Sequence, residues 1–133
     1  MPVPVVAYLV TAVAFFAIDA IWLGRVATGL YRGWLGNMML EQPNFAAAGA
    51  FYLVYVAGIV YFAVMPALAT NSWTQAAIAG AILGLVAYGT YDMTNLATLK
   101  NWPLAMTIID MAWGTALTSF AATAGFFITQ KIA

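Results

Sequence analysis

Four long apolar stretches, separated by polar connections, organise the chain. Each is long enough for the roughly 20 residues that a helix needs to cross the hydrocarbon core of a bilayer. The apolar residues run continuously instead of alternating with polar ones, which favours helices over the strands of a membrane barrel. The predicted spans are about 3–23, 45–69, 74–98 and 103–129. The sequence therefore predicts an all-α, integral membrane four-helix transmembrane bundle that forms one domain over 1–133.

The connections between the spans carry turn-forming residues. Gly24–Asn44 is long and glycine-rich, and its mixture of arginine and apolar side chains suits an amphipathic segment on the membrane surface. Thr70–Trp73 predicts a tight polar turn, and Pro103 suits the first turn of the fourth helix. Aromatic residues near the ends of the spans are interpreted as an interfacial belt: Tyr31, Trp34, Trp73 and Trp102.

The basic residues predict how the bundle is oriented. We call side A the membrane face that holds both termini, and side B the opposite face. The first and third connections place Arg25, Arg32 and Lys100 on side B, whereas side A carries Lys131 and the terminal amine. The positive-inside rule then places side B in the cytoplasm and both termini in the periplasm of a bacterial inner membrane.

Composition excludes most other classes of protein. The chain is 65% hydrophobic and 6% charged, whereas a soluble domain carries roughly 25% charged residues. Its net charge is zero and no basic run occurs, which argues against a nucleic-acid partner. Cysteine and histidine are absent, so disulfides, histidine-ligated metals and haems, and serine–histidine–aspartate catalysis are excluded. No metal site is predicted, and no cofactor is assigned.

Three of the four acidic residues lie inside predicted helices, where charged groups are costly and usually face the bundle interior. Asp92 lies eight residues before Lys100, and Asp110 lies seven residues after Pro103. At about 1.5 Å per residue, both are roughly 10–12 Å below side B. Asp19 is expected to be somewhat shallower. The three acids are therefore predicted to share one layer in the side-B half of the membrane.

Polar and aromatic residues accompany these acids at helical spacing. Tyr52 and Tyr55 of the second helix add phenols that can donate to a carboxylate. Two interpretations stay open. The acids hold helices together, or they form a site that a proton, a cation, Arg25 or Lys100, or a cationic ligand neutralises. The predicted ligand-binding residues are Asp19, Trp22, Tyr88, Asp92, Asn95, Lys100, Asp110 and Trp113.

Three motifs carry a resemblance to a known family. The longest covers the end of the third helix and the start of the fourth: Tyr88–Pro103, followed by Thr107, Asp110 and Trp113–Gly114. The other two are Asp19-x-x-Trp22-Leu23 and Phe51-Tyr52-Leu-Val-Tyr55. Together they resemble the bacterial membrane family called domain of unknown function 2177, over essentially the whole chain. The resemblance implies a small four-helix inner-membrane protein and the same group of residues, but no reaction.

Three functions remain as hypotheses. The first is binding or transport of a proton, a cation or a small polar solute at the aspartate cluster. The second is an accessory or assembly subunit of a larger membrane complex. The third is a membrane enzyme that acts on a lipid, with paired carboxylates as acid and base. The expected partners are the lipid bilayer and either further copies of the chain or partner membrane helices.

Overall fold

The first membrane helix is longer than its apolar stretch. The computed structural model describes all residues from Met1 to Ala133, 88% of them helical, with no strands. Helix α1 (Val3–Trp22) continues through a π-helical segment (Leu23–Ala27) into α2 (Thr28–Leu35), and a short 3-10 turn (Gly36–Met38) follows. The sequence placed a connection from Gly24 onward. The glycines do not stop the helix there, because each costs only about 1 kcal/mol and no proline occurs between Leu23 and Pro43.

Helix α2 ends at a glycine that leaves the helical conformation. Gly36 has a φ of +56°, a left-handed value that favours glycine and is common at the ends of helices. The remaining elements are α3 (Phe45–Ile59), a second π-helical segment (Val60–Val64), α4 (Met65–Thr70), α5 (Trp73–Thr98) and α6 (Leu104–Ile132). Helices α3 and α4, with the π segment between them, form the second membrane helix. The chain therefore crosses the membrane in four helices that are long and apolar enough to span it.

Side-chain caps begin the second and third membrane helices. The Asn44 side chain accepts a hydrogen bond from the amide of Ala47 at 3.1 Å, and the Ser72 hydroxyl accepts one from the amide of Gln75 at 3.3 Å. Asn71 reverses the chain between α4 and α5 in a left-handed conformation, with a φ of 51°. Both caps satisfy amides that the first turn of a helix leaves without partners.

Helices α5 and α6 pack with their backbones close together. A Cβ atom at Gly80 would lie 2.9 Å from the Cα of Ser119, and one at Gly84 would overlap the carbonyl of Gly114. The spacing of two glycines four residues apart therefore serves packing inside the bundle. This close contact brings the side-B ends of α5 and α6, which carry two of the aspartates, next to each other.

The second membrane helix is packed at one end and free at the other. Val56, Ile59 and Val64 belong to the buried core, together with residues of α1 and α6. On the side-B half of α3, Phe45 is 74% exposed and Phe51 is 63% exposed. The side-B half of α3 therefore stands away from α5 and α6, and apolar side chains on the outside of the bundle contact the lipid bilayer. The protein is a multi-pass membrane protein.

Candidate functional site

A cavity of about 570 Å³ lies between α2, α3, α5 and α6 in the side-B half of the bundle. Five tyrosines line it: Tyr31, Tyr52, Tyr55, Tyr88 and Tyr91. Asp92 and Asp110 line it as well, and we call it the acid cavity. Its volume lies within the range of 300–1,000 Å³ that is usual for small-molecule sites.

Asp92 is the most unusual side chain in the acid cavity. It has no exposed surface, and neither of its carboxyl oxygens accepts a hydrogen bond from a protein donor. Asp110 is the second carboxyl that lines the cavity. Two ionised carboxylates only accept hydrogen bonds, so a direct contact between the two would require a shared proton. Two adjacent acids in an apolar membrane interior need a proton or a bound cation for neutralisation.

Asp110 is held in place by a residue of the first membrane helix. The hydroxyl of Tyr31 donates to its Oδ1 at 2.8 Å. Tyr31 and Leu35 line the acid cavity from α2, so this helix covers the cavity on side B. The continuation of α1 into α2 is therefore what places a phenol over the acid pair.

The tyrosine rings are fixed by packing and by one buried hydrogen bond. The Tyr55 hydroxyl and the Thr118 hydroxyl lie 2.8 Å apart, and the rings of Tyr55 and Tyr88 meet edge to face with centroids 6.3 Å apart. The ring of Tyr88 lies directly on Gly114, where a Cβ atom would overlap it. These contacts hold the aromatic rings in the wall of the cavity without using the carboxyl oxygens of Asp92.

The acid cavity opens sideways toward the bilayer. Phe51 on α3 and Tyr91 on α5 both line it, and they are 63% and 58% exposed on the outside of the bundle. These two residues mark the side of the cavity that faces outward between α3 and α5.

A second cavity of about 750 Å³ lies between α1, α2 and the start of α3, and we call it the outer cavity. Asp19 lines it and is 3% exposed. Its Oδ1 accepts a hydrogen bond from Nε1 of Trp113 at 3.1 Å, and its Oδ2 has no partner. Arg32 and Glu41 line the outer cavity on side B, and both are exposed.

Comparison with known proteins identifies a family but no relative of established structure. A family model described as a predicted membrane protein, DUF2177, matches residues 4–127. The chain belongs to this family. The match contains every residue that lines either cavity of the DUF2177 chain. No curated protein and no solved structure matches it.

The structure of the DUF2177 chain divides the predicted site residues into three groups. Tyr88, Asp92 and Asp110 line the acid cavity. Trp22 and Trp113 instead form a stacked pair with centroids 4.3 Å apart, and Trp113 holds Asp19 at the outer cavity. The third group, Asn95 and Lys100, lines neither cavity.

Arg25 and Lys100, one of the alternatives for neutralising the acids, are exposed and line neither cavity of this DUF2177 chain. The expected depth of Asp19 needs correction. Asp19 was expected near the side-B end of the first helix. Because that helix continues to Leu35, Asp19 lies well inside it.

Sequence reasoning missed the roles of Tyr31 and Tyr91. Tyr31 was assigned to the interfacial belt of the DUF2177 chain, but it donates to Asp110 over the acid cavity. Tyr91 is adjacent to Asp92 in the motif and lines the cavity opening. Tyr31 lies near the acids because the first helix continues beyond Leu23. A prediction of that continuation would have placed Tyr31 there.

Proposed function

We propose that this protein binds a small organic cation in the acid cavity and exchanges it for a proton across the membrane. The observation that carries the proposal is Asp92. It is fully buried, it has no protein donor, and it shares with a second carboxyl, Asp110, the lining of a cavity large enough for a ligand. A purely structural acid in a membrane is expected to be hydrogen-bonded to neighbouring helices. An acid without such partners requires a counter-charge, which a proton and a cation can supply in turn.

The walls of the acid cavity suit an organic cation better than a metal ion. Aromatic ring faces attract cations, and the tyrosine-lined wall offers several such faces around the acid pair. No three metal-ligating side chains of the histidine, cysteine or acidic type come together in the protein. Two carboxyls are few ligands for a hard divalent cation, which usually takes six or more oxygens. The opening between Phe51 and Tyr91 further suits a cation with apolar substituents that dissolves in the bilayer.

The membrane setting of the proposal follows from charge and size. Arg25, Arg32 and Lys100 on side B support a cytoplasmic side B and periplasmic termini in a bacterial inner membrane. Four helices are few for a complete alternating-access device, so a homo-oligomer is the transport unit we favour. Site-specific crosslinking in membranes tests this arrangement and detects other partner helices in the same experiment.

A lipid-acting enzyme is the second candidate, and the lateral opening of the acid cavity favours it. In this candidate a lipid tail enters between Phe51 and Tyr91, into the cavity that Asp92 and Asp110 line. Such a pair can act as a general acid and a general base. A membrane lipid profile that changes on deletion of the gene, and returns with wild type but not with Asp92→Asn, supports this candidate over transport.

Equilibrium binding of defined cations tests the main proposal. Purified protein in mild detergent is titrated with tetraethylammonium and with tetraphenylphosphonium at several pH values. If each cation displaces one proton, its Kd falls about tenfold for each unit by which the pH rises, over the pH range in which the free site is protonated. Asp92→Asn is expected to weaken binding about tenfold or more, since a charge-assisted contact is lost.

Two further variants make this experiment specific. Replacing both Asp92 and Asp110 with asparagine removes every carboxyl from the acid cavity, and the pH dependence should disappear. Glu41→Gln removes an exposed carboxyl that does not line the acid cavity, and its Kd should match wild type. Binding that is absent in wild type, or unchanged in the double variant, contradicts the proposal.

A further inference from the structure

The acid cavity and the outer cavity are separated by a thin wall. Leu23, Tyr31 and Tyr52 line both of them. Two of these three residues carry hydroxyls, which can donate and accept protons. Tyr31 donates to Asp110 on one side of the wall, and Tyr52 lines the outer cavity together with Asp19 on the other. The wall is therefore polar at the place where the two cavities are closest.

Asp19 is held rigidly, but one of its oxygens is free. Trp113 donates to Oδ1, and Trp113 is itself held by its stacking on Trp22 with centroids 4.3 Å apart. Oδ2 is buried, has no partner, and belongs to a residue that lines the outer cavity. An unpaired buried oxygen is costly, and a proton or cavity water would satisfy it.

The outer cavity connects Asp19 with the side-B surface. The polar and titratable groups around Asp19 come from every neighbouring element: Tyr31 and Arg32 of α2, Glu41, Tyr52 of α3, and Asp110 and Trp113 of α6. Arg32 and Glu41 are exposed, and Arg32 makes only a long 3.5 Å contact with the carbonyl of Leu40. A charged mouth of this kind admits water to a cavity whose far end holds a carboxyl.

We infer that the outer cavity is a hydrated vestibule through which protons reach the acid pair by way of Asp19 and Tyr52, separately from the lateral route of the cation. This inference rests on the proposed function, because the proton it delivers is the one that the cation displaces. Asp19 and Tyr52 act as proton carriers, and neither is consumed.

The proton transfer balances without a co-reactant. Water at side B protonates the free Oδ2 of Asp19. Asp19 then passes this proton to the Tyr52 oxygen, while the Tyr52 hydroxyl releases its own proton toward Asp110, directly or through cavity water. One O–H bond forms and one breaks at each carrier, so a single proton moves from the vestibule to the acid pair.

Asp19→Asn tests the proton route without removing the cation site. The amide oxygen of asparagine can still accept the hydrogen bond from Trp113, and residue 19 does not line the acid cavity. In proteoliposomes with a pH gradient, the rate of tetraphenylphosphonium exchange should fall at least about tenfold, while its Kd stays within about twofold of wild type. Tyr52→Phe keeps the ring and should slow exchange to a similar extent.

The kinetic outcomes separate this inference from the proposed function. If Asp92→Asn leaves the Kd unchanged, the proposed function fails. If cation binding depends on Asp92 but Asp19→Asn exchanges as fast as wild type, only the proton route is overturned. The proton route is also overturned if Asp19→Asn raises the Kd for tetraphenylphosphonium by the same factor by which it lowers the exchange rate. Asp19 would then belong to the cation site.

Thiol labelling tests the hydration of the vestibule independently of transport. The chain has no cysteine, so single cysteines can be introduced at Ala20 and Ala48, which line the outer cavity, and at the exposed control position Ala17 of α1, which lines neither cavity. In membranes, a charged methanethiosulfonate bearing a trimethylammonium group should label Ala20→Cys and Ala48→Cys far faster than Ala17→Cys. Equal rates at all three positions would show that the outer cavity is filled by lipid, and would overturn the vestibule.

Discussion

Replacing Asp92 with asparagine should separate a structural role of this acid from a functional one. Asparagine has almost the same shape as aspartate, so packing in the fully buried site is retained. No protein donor contacts the Asp92 carboxyl, so the substitution removes no hydrogen bond from the folded protein. The new side-chain amide can donate to the carboxyl of Asp110, which lines the same cavity. The variant is therefore expected to stay close to wild type in stability.

The size of the effect follows from the contacts at the site. A hydrogen bond to a charged group contributes about 1.5–3 kcal/mol, and burying the remaining unpaired amide oxygen offsets about 1–3 kcal/mol of it. The free energy of unfolding should therefore change by between about −1.5 and +2 kcal/mol. For a domain near this size, about 4 °C accompanies each kcal/mol, so the melting temperature should fall by at most about 6 °C or rise by at most about 8 °C. Cation affinity should fall in the same variant by about 10- to 100-fold.

Thermal unfolding in mild detergent measures the stability of the variant, and equilibrium binding of tetraphenylphosphonium measures its cation affinity. Asp110→Ala is the matched comparison, because it leaves the Tyr31 hydroxyl without its acceptor and should lower the free energy of unfolding by about 1–3 kcal/mol. If Asp92→Asn lowers the melting temperature as much as Asp110→Ala, Asp92 holds the bundle together. The Asp92 carboxyl would then have a partner in the folded protein that stabilises the bundle.

Other contacts in the structure give further predictions. Tyr31→Phe loses the hydrogen bond to Asp110 and should lower the free energy of unfolding by about 1–2 kcal/mol in a thermal melt; an unchanged melting temperature would mean that α2 does not cover the acid pair in the membrane. Gly114→Ala places a methyl group in the ring of Tyr88 and should cost about 1–3 kcal/mol and weaken cation binding. Gly58→Ala meets nothing within 4 Å and should be neutral or stabilise α3 by up to about 1 kcal/mol, so equal melting temperatures for the two alanine variants would contradict the packing described.

The proximity of Asp92 and Asp110 was predictable because of chain connectivity. Consecutive helices joined by a short turn must run antiparallel, so counting residues from the Lys100–Pro103 turn in both directions gives the depth of each acid. The glycines of α5 then bring its backbone against α6, which turns equal depth into contact. The resemblance to the DUF2177 family was confirmed, as was the four-helix architecture.

The path of the chain after Leu23 was not predictable from hydropathy. Apolar residues end there because the membrane core ends, but a helix ends only where its backbone leaves the helical conformation, which occurs at Gly36. The covering of the acid cavity by α2 depends on that difference, and so does the contact between Tyr31 and Asp110. Likewise, no local pattern in Phe45–Ile59 distinguishes a helix that packs along its whole length from one that is free at one end.

The π-helical segment Val60–Val64 sets the rotation of α3 relative to α4. A π-helical turn accommodates one residue more than an α-helical turn, and each residue of an α-helix accounts for about 100° of rotation. An α-helical turn in its place would rotate α3 by about that angle relative to α4, and Tyr55, Val56 and Ile59 could no longer all face the core. The same residue of extra backbone directs Tyr52 and Tyr55 toward the acid cavity. One hydrogen-bond register in the middle of the second membrane helix thus sets both the packing of the core and one wall of the acid cavity.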